Sequence, residues 1–393
     1  MKILYSCISK SWGGMEMLTL TQMQQLLNRK ITVELLCLKG SRMYTEAEAR
    51  GFITHTVKSS AYLNSAGIAK IISVTWDRTD SRDKNKFELV HTHSTRDLWL
   101  LVPALKISRS SIPLVLTKHI GSFIVKKDFL HRWLYGRVTK AVAISSVIKK
   151  NLVQTTPLPE HKVLLVYNGI DTEKFDPAKA SRKKIRGEFK IADDEILIGM
   201  VGRFSPGKGH EEFLTAAKTL NEKKHLTARS HRTAGHNDIN RLKFIITGEA
   251  SYGEKDYENQ VRKISEDLGL KNIIFTGYRS DTKDILSAMD IFIFPSHAES
   301  FGLALAEAMA MELPSVSSDS GGVLDIVIDN ETGLLFENKN PQDLAEKVYE
   351  LIAEPALRKK LGKAARQRVI ENFNIEKQTD KIIEIYESLI KNQ

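Results

Sequence analysis

Short runs of β-branched and aromatic residues alternate with longer helix-forming segments along most of this chain. Runs that are apolar throughout are typical of strands buried on both faces of a sheet. Strands that alternate with helices predict a parallel, doubly wound α/β sheet. A chain of 393 residues is too long for one hydrophobic core, so we predict two such domains.

The predicted strands form two groups separated by a polar segment. The first group ends with the run at 163–168, and the second group begins at Ile196–Val201. Residues 171–195 between them are mostly polar and charged, and they include Pro177. We therefore predict a first domain over 1–170, a linker over 171–195, a second domain over 196–374 and a final helix near 375–393.

The segment that carries the most chemical information follows the predicted strand Ile291–Phe294. It is a loop that starts at Pro295 and leads into strong helix-forming residues. Ligands of parallel sheets bind beyond the carboxyl ends of the strands, where unpaired N–H groups at a helix start favour an anion. Those N–H groups belong to Phe301, Gly302 and Leu303.

Two carboxylates flank this helix start. Glu299 lies in the loop, and Glu307 lies about two helical turns further along the chain. An ionised carboxylate only accepts hydrogen bonds, so the pair suits the hydroxyl groups of a sugar or a ribose. An ordinary βα unit with two solvent-facing glutamates is the alternative.

A second loop, Gly202-Arg-Phe-Ser-Pro-Gly-Lys-Gly209, follows the strand Ile196–Val201. It falls one residue short of a P-loop, because position 209 is Gly where that motif has a Ser or Thr hydroxyl for magnesium. Arg203 and Lys208 nevertheless place two cations at a loop that leads into a helix, which favours a phosphate. The alternatives are a solvated turn and a P-loop NTPase.

Glycines also follow other predicted strands, where they permit a close approach of the backbone to a ligand. They are Gly13 and Gly14, the pair Gly321 and Gly322, and Gly277 beside Tyr278 and Arg279. The first pair does not form the Gly-x-Gly-x-x-Gly pattern of dinucleotide-binding folds.

Histidines follow two strands of the first domain. His119 comes after the strand at 113–117, and a neutral imidazole there can donate to or accept from a sugar hydroxyl. A capping or buried structural histidine is the alternative. His91 and His93 have no third ligand at a suitable spacing, so we predict no metal site.

The net charge of +10 is concentrated in one region. Residues 101–150 hold ten Lys or Arg and a single acid, Asp128, interspersed with aromatic and aliphatic residues. This mixture favours an anionic membrane surface over nucleic acid, with residues 106–150 as the contact region; a solvated helix face is the alternative. Two isolated cysteines, the lack of a long apolar run and the lack of a signal-peptide pattern predict a cytoplasmic location.

The motifs around Gly13, Arg203, Gly277, Glu299 and Gly333 occur in an order that resembles the retaining glycosyltransferases of family 4 (group 1). The resemblance extends over nearly the whole chain and includes enzymes that build lipopolysaccharide, capsule and other cell-envelope glycans. It implies the GT-B fold, in which two Rossmann-like domains face a central cleft. The N-terminal domain would bind the acceptor, the C-terminal domain would bind a nucleotide-sugar donor, and the final helix would pack back on the first domain.

The same resemblance implies a role for each motif. Arg203 and Lys208 would neutralise the donor diphosphate, and Glu299 would hold the hydroxyls of the donor sugar beside His119. Glu307 would hold the ribose. The remaining implied donor-binding residues are Gly13, Gly14, Gly202, Gly277, Tyr278, Arg279, Ser300, Phe301, Gly302, Leu303, Gly321 and Gly322.

We expect transfer without a cofactor or metal, because the chain contains no Asp-x-Asp motif of the kind that holds a divalent cation in the other transferase fold. The expected partners are a nucleotide sugar and a glycan or lipid-linked acceptor at the cytoplasmic leaflet, and not nucleic acid. An epimerase or a phosphorylase on the same fold is the alternative. The long connection at 221–243 reads as a mobile insertion. The donor sugar, its base, the acceptor and the oligomeric state have no signature in the sequence.

Overall fold

The computed structural model describes residues 1–58, 64–74, 86–227, 241–250 and 253–391. The chain divides into two compact units, Met1–Gly169 with Ile375–Gln393, and Ile170–Asn374. Each unit is built around one parallel sheet with flanking helices. The predicted α/β class with two doubly wound sheets is therefore confirmed.

The first unit contains a seven-stranded sheet of order β3-β2-β1-β4-β5-β6-β7. Its strands are β1 (Lys2–Cys7), β2 (Thr32–Leu38), β3 (Thr54–Val57), β4 (Leu89–Thr92), β5 (Leu114–Lys118), β6 (Lys140–Ala143) and β7 (Val163–Leu165). The helices between them are α1 (Gly14–Asn28), α2 (Arg42–Ala49), α3 (Ser65–Val74), α4 (Leu98–Ile107), α5 (Phe129–Gly136) and α6 (Ser146–Thr155).

The second unit contains a six-stranded sheet of order β10-β9-β8-β11-β12-β13. Its strands are β8 (Ile196–Val201), β9 (Leu242–Thr247), β10 (Ile273–Phe275), β11 (Ile291–Phe294), β12 (Ser315–Ser318) and β13 (Leu334–Phe336). Its helices are α7 (Arg182–Glu188), α8 (His210–Thr227), α9 (Lys255–Asp267), α10 (Thr282–Ala288), α11 (Leu303–Ala310), α12 (Val323–Ile326), α13 (Pro341–Ala353) and α14 (Pro355–Asn372).

The last helix, α15 (Ile375–Lys391), belongs to the first unit. Its Ile382 and Tyr386 are buried in the same apolar cluster as side chains of β1 and α1. The Tyr386 hydroxyl hydrogen-bonds to the Tyr5 hydroxyl at 2.7 Å and to the ring of His91. The end of the chain thus completes a core that its first strand begins.

The segment predicted as a linker, 171–195, packs within the second unit. Arg186 of α7 is 2% exposed, and its guanidinium donates to the carbonyls of Ala288, Ala192 and Glu195. It also contacts the Asp290 carboxylate at 3.3 Å. A buried guanidinium needs this many acceptors, because an unpaired charge in the interior is costly.

Helices α2 and α8 differ from what the sequence predicts. Helix α2 was not predicted, although Ser41 caps it by accepting from the Tyr44 N–H. Helix α8 does not end at Leu220, because helix-forming residues and a Lys218–Glu222 ion pair continue it to Thr227. Of the insertion predicted at 221–243, residues 221–227 therefore belong to α8 and Leu242 already begins β9, while 228–240 lie outside the described residues.

Among the helices in the described part of the chain, none combines the length and apolar composition needed to cross a membrane.

Candidate active site

The strand order of the second, parallel sheet reverses between β8 and β11. These two strands are hydrogen-bonded neighbours although β9 and β10 lie between them in sequence. A reversal of this kind opens a crevice at the carboxyl ends of the two strands, because the loops that follow them turn to opposite faces of the sheet. The loops concerned are 202–209 after β8 and 295–302 after β11. Two motifs that are far apart in sequence therefore start from adjacent strands.

Lys208 and Glu299 form an ion pair between these two loops. The Lys208 Nζ lies 2.7 Å from the Glu299 Oε2, and the side chains are 27% and 18% exposed. The hydroxyl of Ser296 and the N–H of Ser300 also donate to this carboxylate, each at 3.3 Å. The ammonium predicted to bind a diphosphate and the carboxylate predicted to bind sugar hydroxyls are thus within one hydrogen bond of each other.

Gly209 fixes how closely the two loops approach. Its φ is +79°, and a Cβ at this position would lie 2.1 Å from the carbonyl oxygen of Pro295. The His297 N–H donates to the Gly207 carbonyl at 2.9 Å and joins the loops again. A Ser or Thr side chain, which a P-loop would need here for magnesium, therefore does not fit at 209 while the loops keep this approach.

The start of α11 has the geometry expected of an anion-facing helix terminus. Gly302 precedes it with φ +108° and ψ 59°, a conformation that glycine adopts readily, and Leu303 is its first residue. The N–H groups in the first turn of a helix have no partner within the helix. Phe301 is buried and its ring packs edge-on against Phe373 at 5.7 Å, which anchors the loop from behind.

Gly321 and Gly322 lie in close backbone contact with this loop. A Cβ on Gly321 would lie 2.5 Å from the Glu299 carbonyl oxygen, and one on Gly322 would lie 2.5 Å from the Ser300 carbonyl oxygen. The Gly322 N–H donates to Glu299 O at 2.8 Å. The close backbone approach that this glycine pair permits is therefore to the Glu299 loop, and its predicted contact with a donor stays a prediction.

Glu307, in the second turn of α11, is partly buried, and its side-chain carboxyl makes no hydrogen bond or ion pair within the residues that the structure describes. Burial raises the pKa of its carboxyl to about 7, and the nearby Lys174 lowers that pKa in part. A carboxyl that is desolvated without a partner is a suitable acceptor for hydroxyl groups of a ligand.

The other predicted donor-binding residues have different surroundings. Arg203 is exposed on the loop after β8, and Gly202 lies against Gly248, whose φ is +149°. Gly277 has φ +70° and Tyr278 is 51% exposed. The Arg279 guanidinium is held by the Asp281 and Glu188 carboxylates at 2.6–3.0 Å. These hydrogen bonds raise the pKa of Arg279, and the bond to Asp281 contributes most.

In the first unit, His119 lies beyond the carboxyl end of β5 and is 8% exposed. Its Nε2 lies 3.1 Å from the Nδ1 of His93, and the two rings stack on each other. Burial lowers the pKa of His119 to about 4 and that of His91 to about 3, and it lowers the pKa of His93 as well. All three imidazoles are therefore neutral at pH 7.

His119 lines a small cavity together with Thr117, Asn168 and Gln378. The Nε2 of His93 and the Oε1 of Gln378 are both buried and have no hydrogen-bond partner among the described residues. Gly13 and Gly14 form the start of α1, and the Gly13 carbonyl accepts from the Met17 N–H. The structure thus places the histidine and the glycine pair at carboxyl ends of β5 and β1 of the same sheet.

One contact at the site has no signature in the sequence. The His297 Nε2 lies 2.7 Å from the Glu212 carboxylate of α8, and the His297 carbonyl accepts from the Ser320 hydroxyl and the Asn338 amide. His297 therefore links the loop after β11 to α8 and to β12 and β13. Its partners lie far away along the chain, so only the strand order of the sheet brings them together.

The described ranges contain no group of three or more His, Cys, Asp or Glu side chains suited to hold a metal ion. The three stacked histidines hydrogen-bond instead to protein groups. His93 and His119 contact each other, and His91 contacts Thr117 and Tyr386. Metal independence of the reaction stays a prediction.

Two family profiles match this sequence. One, described as "Glycosyl transferases group 1", matches residues 181–368, and the other, described as "Glycosyltransferase Family 4", matches residues 12–174. Together with the two doubly wound sheets, they define a glycosyltransferase with the GT-B fold. The chain belongs to the family 4, group 1, glycosyltransferases.

Individual relatives agree with this assignment. The chain is 25% identical over 408 aligned residues to the UDP-Gal:alpha-D-GlcNAc-diphosphoundecaprenol alpha-1,3-galactosyltransferase of Escherichia coli, covering 100% of this chain and 98% of that protein. It is 28% identical to the capsular polysaccharide biosynthesis glycosyltransferase CapM of Staphylococcus aureus, over 64% of this chain and 62% of CapM. The crystal structure of Anabaena HepE in complex with UDP and glucose shares the fold, with a TM-score of 0.80 and 20% identity over 99% of this chain and all of HepE.

Proposed function

We propose that this protein is a retaining, metal-independent glycosyltransferase that moves a sugar from a nucleoside-diphosphate sugar to a cell-envelope glycan or its lipid-linked precursor. The Lys208–Glu299 pair carries the proposal, because it puts a cation for the phosphate beside an acceptor for sugar hydroxyls. The leaving diphosphate gains negative charge in the transition state, so fixed cations and N–H dipoles directed at it lower the barrier.

In the proposed chemical step, no side chain of the protein forms a covalent bond to the sugar. The leaving phosphate oxygen would take the proton of the acceptor hydroxyl on the face from which it departs, so that the new bond forms with retained configuration. Arg203, Lys208 and the start of α11 would stabilise the leaving group. His119, as a neutral imidazole, would hydrogen-bond to a sugar hydroxyl.

Lys208 and Arg203 variants test the leaving-group assignment. Lys208→Ala and Arg203→Ala should each lower kcat by about 10²–10³-fold, because each removes a charge that acts mainly in the transition state. Lys218→Ala, which removes an exposed lysine paired with Glu222 on α8, is the matched control and should retain full turnover. Near wild-type turnover in both site variants would show that the phosphate site is elsewhere.

Glu299→Gln separates sugar recognition from nucleotide recognition. The variant should bind a nucleoside diphosphate as tightly as the wild type but lose about 1–3 kcal/mol of the added affinity for the nucleotide sugar. UDP-sugars are the first donors to screen by thermal shift, because the E. coli relative is named for UDP-Gal. Equal loss for the nucleotide and its sugar would contradict the assignment.

Product analysis tests the reaction class. Transfer should continue in excess EDTA, and the anomeric configuration of the donor should be kept in the product. An epimerase would change the sugar nucleotide without an acceptor, and a phosphorylase would require inorganic phosphate. A strict requirement for manganese or magnesium would refute metal independence.

The exposed surface of the first unit supports a membrane-bound acceptor. Large apolar side chains project from the β5–α5 loop and from α5, with Phe123 fully exposed and Phe129 82% exposed. The others are Ile120, Ile124, Val125, Leu130 and Trp133. Lys126, Lys127 and Arg132 are interspersed with them, so the surface combines apolar groups with cations that suit an anionic leaflet. A groove of about 450 Å³ next to it is lined by Lys106, Arg109, Trp133 and Arg137.

Vesicle co-sedimentation tests this attachment. The double variant Phe123→Ser/Phe129→Ser should bind anionic vesicles at least tenfold more weakly, because burial of each large apolar side chain is worth about 1.5–3 kcal/mol. Ile53→Ser, which removes another exposed apolar side chain of the same unit, is the control. Equal binding by the double variant, or no dependence on anionic lipid, would contradict membrane attachment through residues 106–150.

A further inference from the structure

Lys118 is a buried lysine without a partner. It is the last residue of β5 and is 5% exposed, yet its ammonium makes no hydrogen bond or ion pair within the described residues. Successive side chains of a strand point to opposite faces, so Lys118 faces away from Thr117, which contacts His91. Lys118 therefore lies on the side of the sheet opposite the histidine cluster, beneath the β5–α5 loop.

The surroundings of Lys118 are positive and contain no compensating acid. Burial, together with the charge of Lys126, lowers the pKa of Lys118 to about 8. The chain has no Asp or Glu between 101 and 127. Asp97, buried on the same side of the sheet, instead accepts from Ser6, Ile8 and Thr92, and Asp128 caps α5 and contacts His131. Burial of the Lys118 side chain costs its ammonium hydration, and a nearby like charge adds to that cost. An anion bound from outside the chain would remove both costs.

The loop above Lys118 is held in place and is apolar. The Lys126 N–H donates to the Thr155 carbonyl at 2.6 Å, and the Asn151 amide exchanges two hydrogen bonds of 2.9 Å with the Ser122 backbone. Between these anchors Phe123, Ile124 and Val125 are exposed. The same short segment thus offers cations at its base and hydrocarbon contacts at its tip, which suits an amphiphile that carries a phosphate.

We propose that Lys118 and Lys126 bind the phosphate or diphosphate group of a lipid-linked acceptor, while the exposed side chains of residues 123–125 contact its hydrocarbon chain. Three observations support anion binding: the Lys118 side chain is buried, its ammonium has no partner in the described residues, and the neighbouring Lys126 is also positive. The acceptor role of the bound lipid rests on the proposed transferase function.

Farnesyl diphosphate is a suitable probe, with farnesol and inorganic diphosphate as its two halves. Farnesyl diphosphate should bind the wild type, as measured by calorimetry below its micelle concentration, and each half alone should bind at least tenfold more weakly. Lys118→Met should weaken farnesyl diphosphate at least tenfold, whereas Lys118→Arg should retain it. Lys39→Met, at an exposed lysine of the same unit, is the control and should bind as the wild type does.

Two further measurements test the proposal if Lys118→Met fails to fold, or if the bound phosphate belongs to a phospholipid headgroup. In the wild type, affinity for farnesyl diphosphate should fall as pH rises from 7 to 9, because Lys118 loses its charge, and the Lys118→Arg variant should not show this fall. Equal binding by wild type and Lys118→Met, or a pH dependence that persists in Lys118→Arg, would overturn the proposal. So would a loss confined to anionic vesicles, which would identify a phospholipid headgroup instead.

Binding of the nucleotide-sugar donor distinguishes this inference from the proposed function. Lys118→Met should bind the donor as the wild type does, because Lys118 faces away from the histidine cluster that includes His119 and is not among the proposed donor-binding residues. Donor binding without farnesyl diphosphate binding would reject only the lipid site. Failure to bind any nucleotide sugar, with farnesyl diphosphate still bound, would reject only the transferase proposal.

Discussion

Glu307 shows how a single side chain can make a site depend on pH. Its carboxyl has a pKa of about 7 because it is desolvated without a partner in the described part of the chain. Ribose hydroxyls donate to the ionised form, so binding of the donor should deprotonate the carboxyl. The charge state of Glu307 then couples nucleotide affinity to pH near neutrality.

The affinity for the donor should weaken about tenfold as pH falls from 8 to 6, since the ionised carboxylate is the stronger acceptor for hydroxyl groups and its population falls about tenfold over this range for a pKa of about 7. Glu307→Gln should remove the pH dependence. The variant without ligand should also be more stable than the wild type at pH 8, because the folded-state pKa is raised and the wild-type carboxyl loses stability as pH rises from about 4.5 to 7. Calorimetric affinity and melting temperature at both pH values measure these effects, and an unchanged pH profile in the variant would exclude Glu307.

At the scale of elements, the loop after β8 depends on Gly209 more than on Gly207. Both have positive φ, +79° and +83°, but only Gly209 lies against the Pro295 backbone. Gly207→Ala should therefore cost about 1–2 kcal/mol from backbone strain alone. Gly209→Ala should cost at least about 2–4 kcal/mol, because a backbone clash adds to that strain.

Urea unfolding of the two glycine variants measures this difference. The comparison is controlled internally, because the two substitutions are chemically identical and only two residues apart. Equal destabilisation would show that the loop can move away from Pro295 at no cost.

The elements also show where prediction from the sequence succeeds. The bounds of β8 and β11 could be predicted to the residue, because each is an apolar run that begins after an acidic residue and ends at a turn-forming Gly or Pro. Helix α2 could not, because only two of its eight residues, Met43 and Ala47, are buried and give the pattern a period.

The site itself is less predictable than the elements that carry it. The residues Lys208 and Glu299 could be named from local motifs, but their ion pair follows from the pairing of β8 with β11. The contact between His297 and Glu212 likewise depends on strand order, which no local pattern encodes. Gly321 and Gly322 are recognisable as positions of close approach, whereas the partner they approach is visible only in the folded unit.

At the scale of the whole molecule, the first unit should be the more sensitive to acid. The pKa values of His91, His93 and His119 lie below the unfolded value near 6.5 because the rings are buried. The unfolded chain then binds more protons, so stability should fall as pH drops below about 6.5, by up to about 1.4 kcal/mol per pH unit for each ring. Asp97, whose pKa burial raises to about 6, acts in the opposite direction as a single group.

Tryptophan fluorescence isolates this effect, because all four tryptophans, at positions 12, 76, 99 and 133, lie in the first unit. The urea midpoint reported by tryptophan should fall between pH 7 and pH 5. Thermal unfolding of residues 170–374 expressed alone should change less over the same range. A tryptophan transition that is independent of pH would mean that the buried histidines do not control the stability of this unit.

The place of α15 in the first unit also constrains how the protein is made. Tyr386 supplies the hydroxyl that Tyr5 and His91 contact, yet residues 170–374 must be synthesised between β7 and this helix. At ribosomal rates of about 5–20 residues per second, roughly 10–45 s separate the end of β7 from the emergence of α15. During that interval the nascent first unit exposes apolar surface of β1 and α1 that α15 later covers. The first unit thus starts to fold first and is completed last, so its exposure to chaperones during translation follows from the order of the segments along the chain.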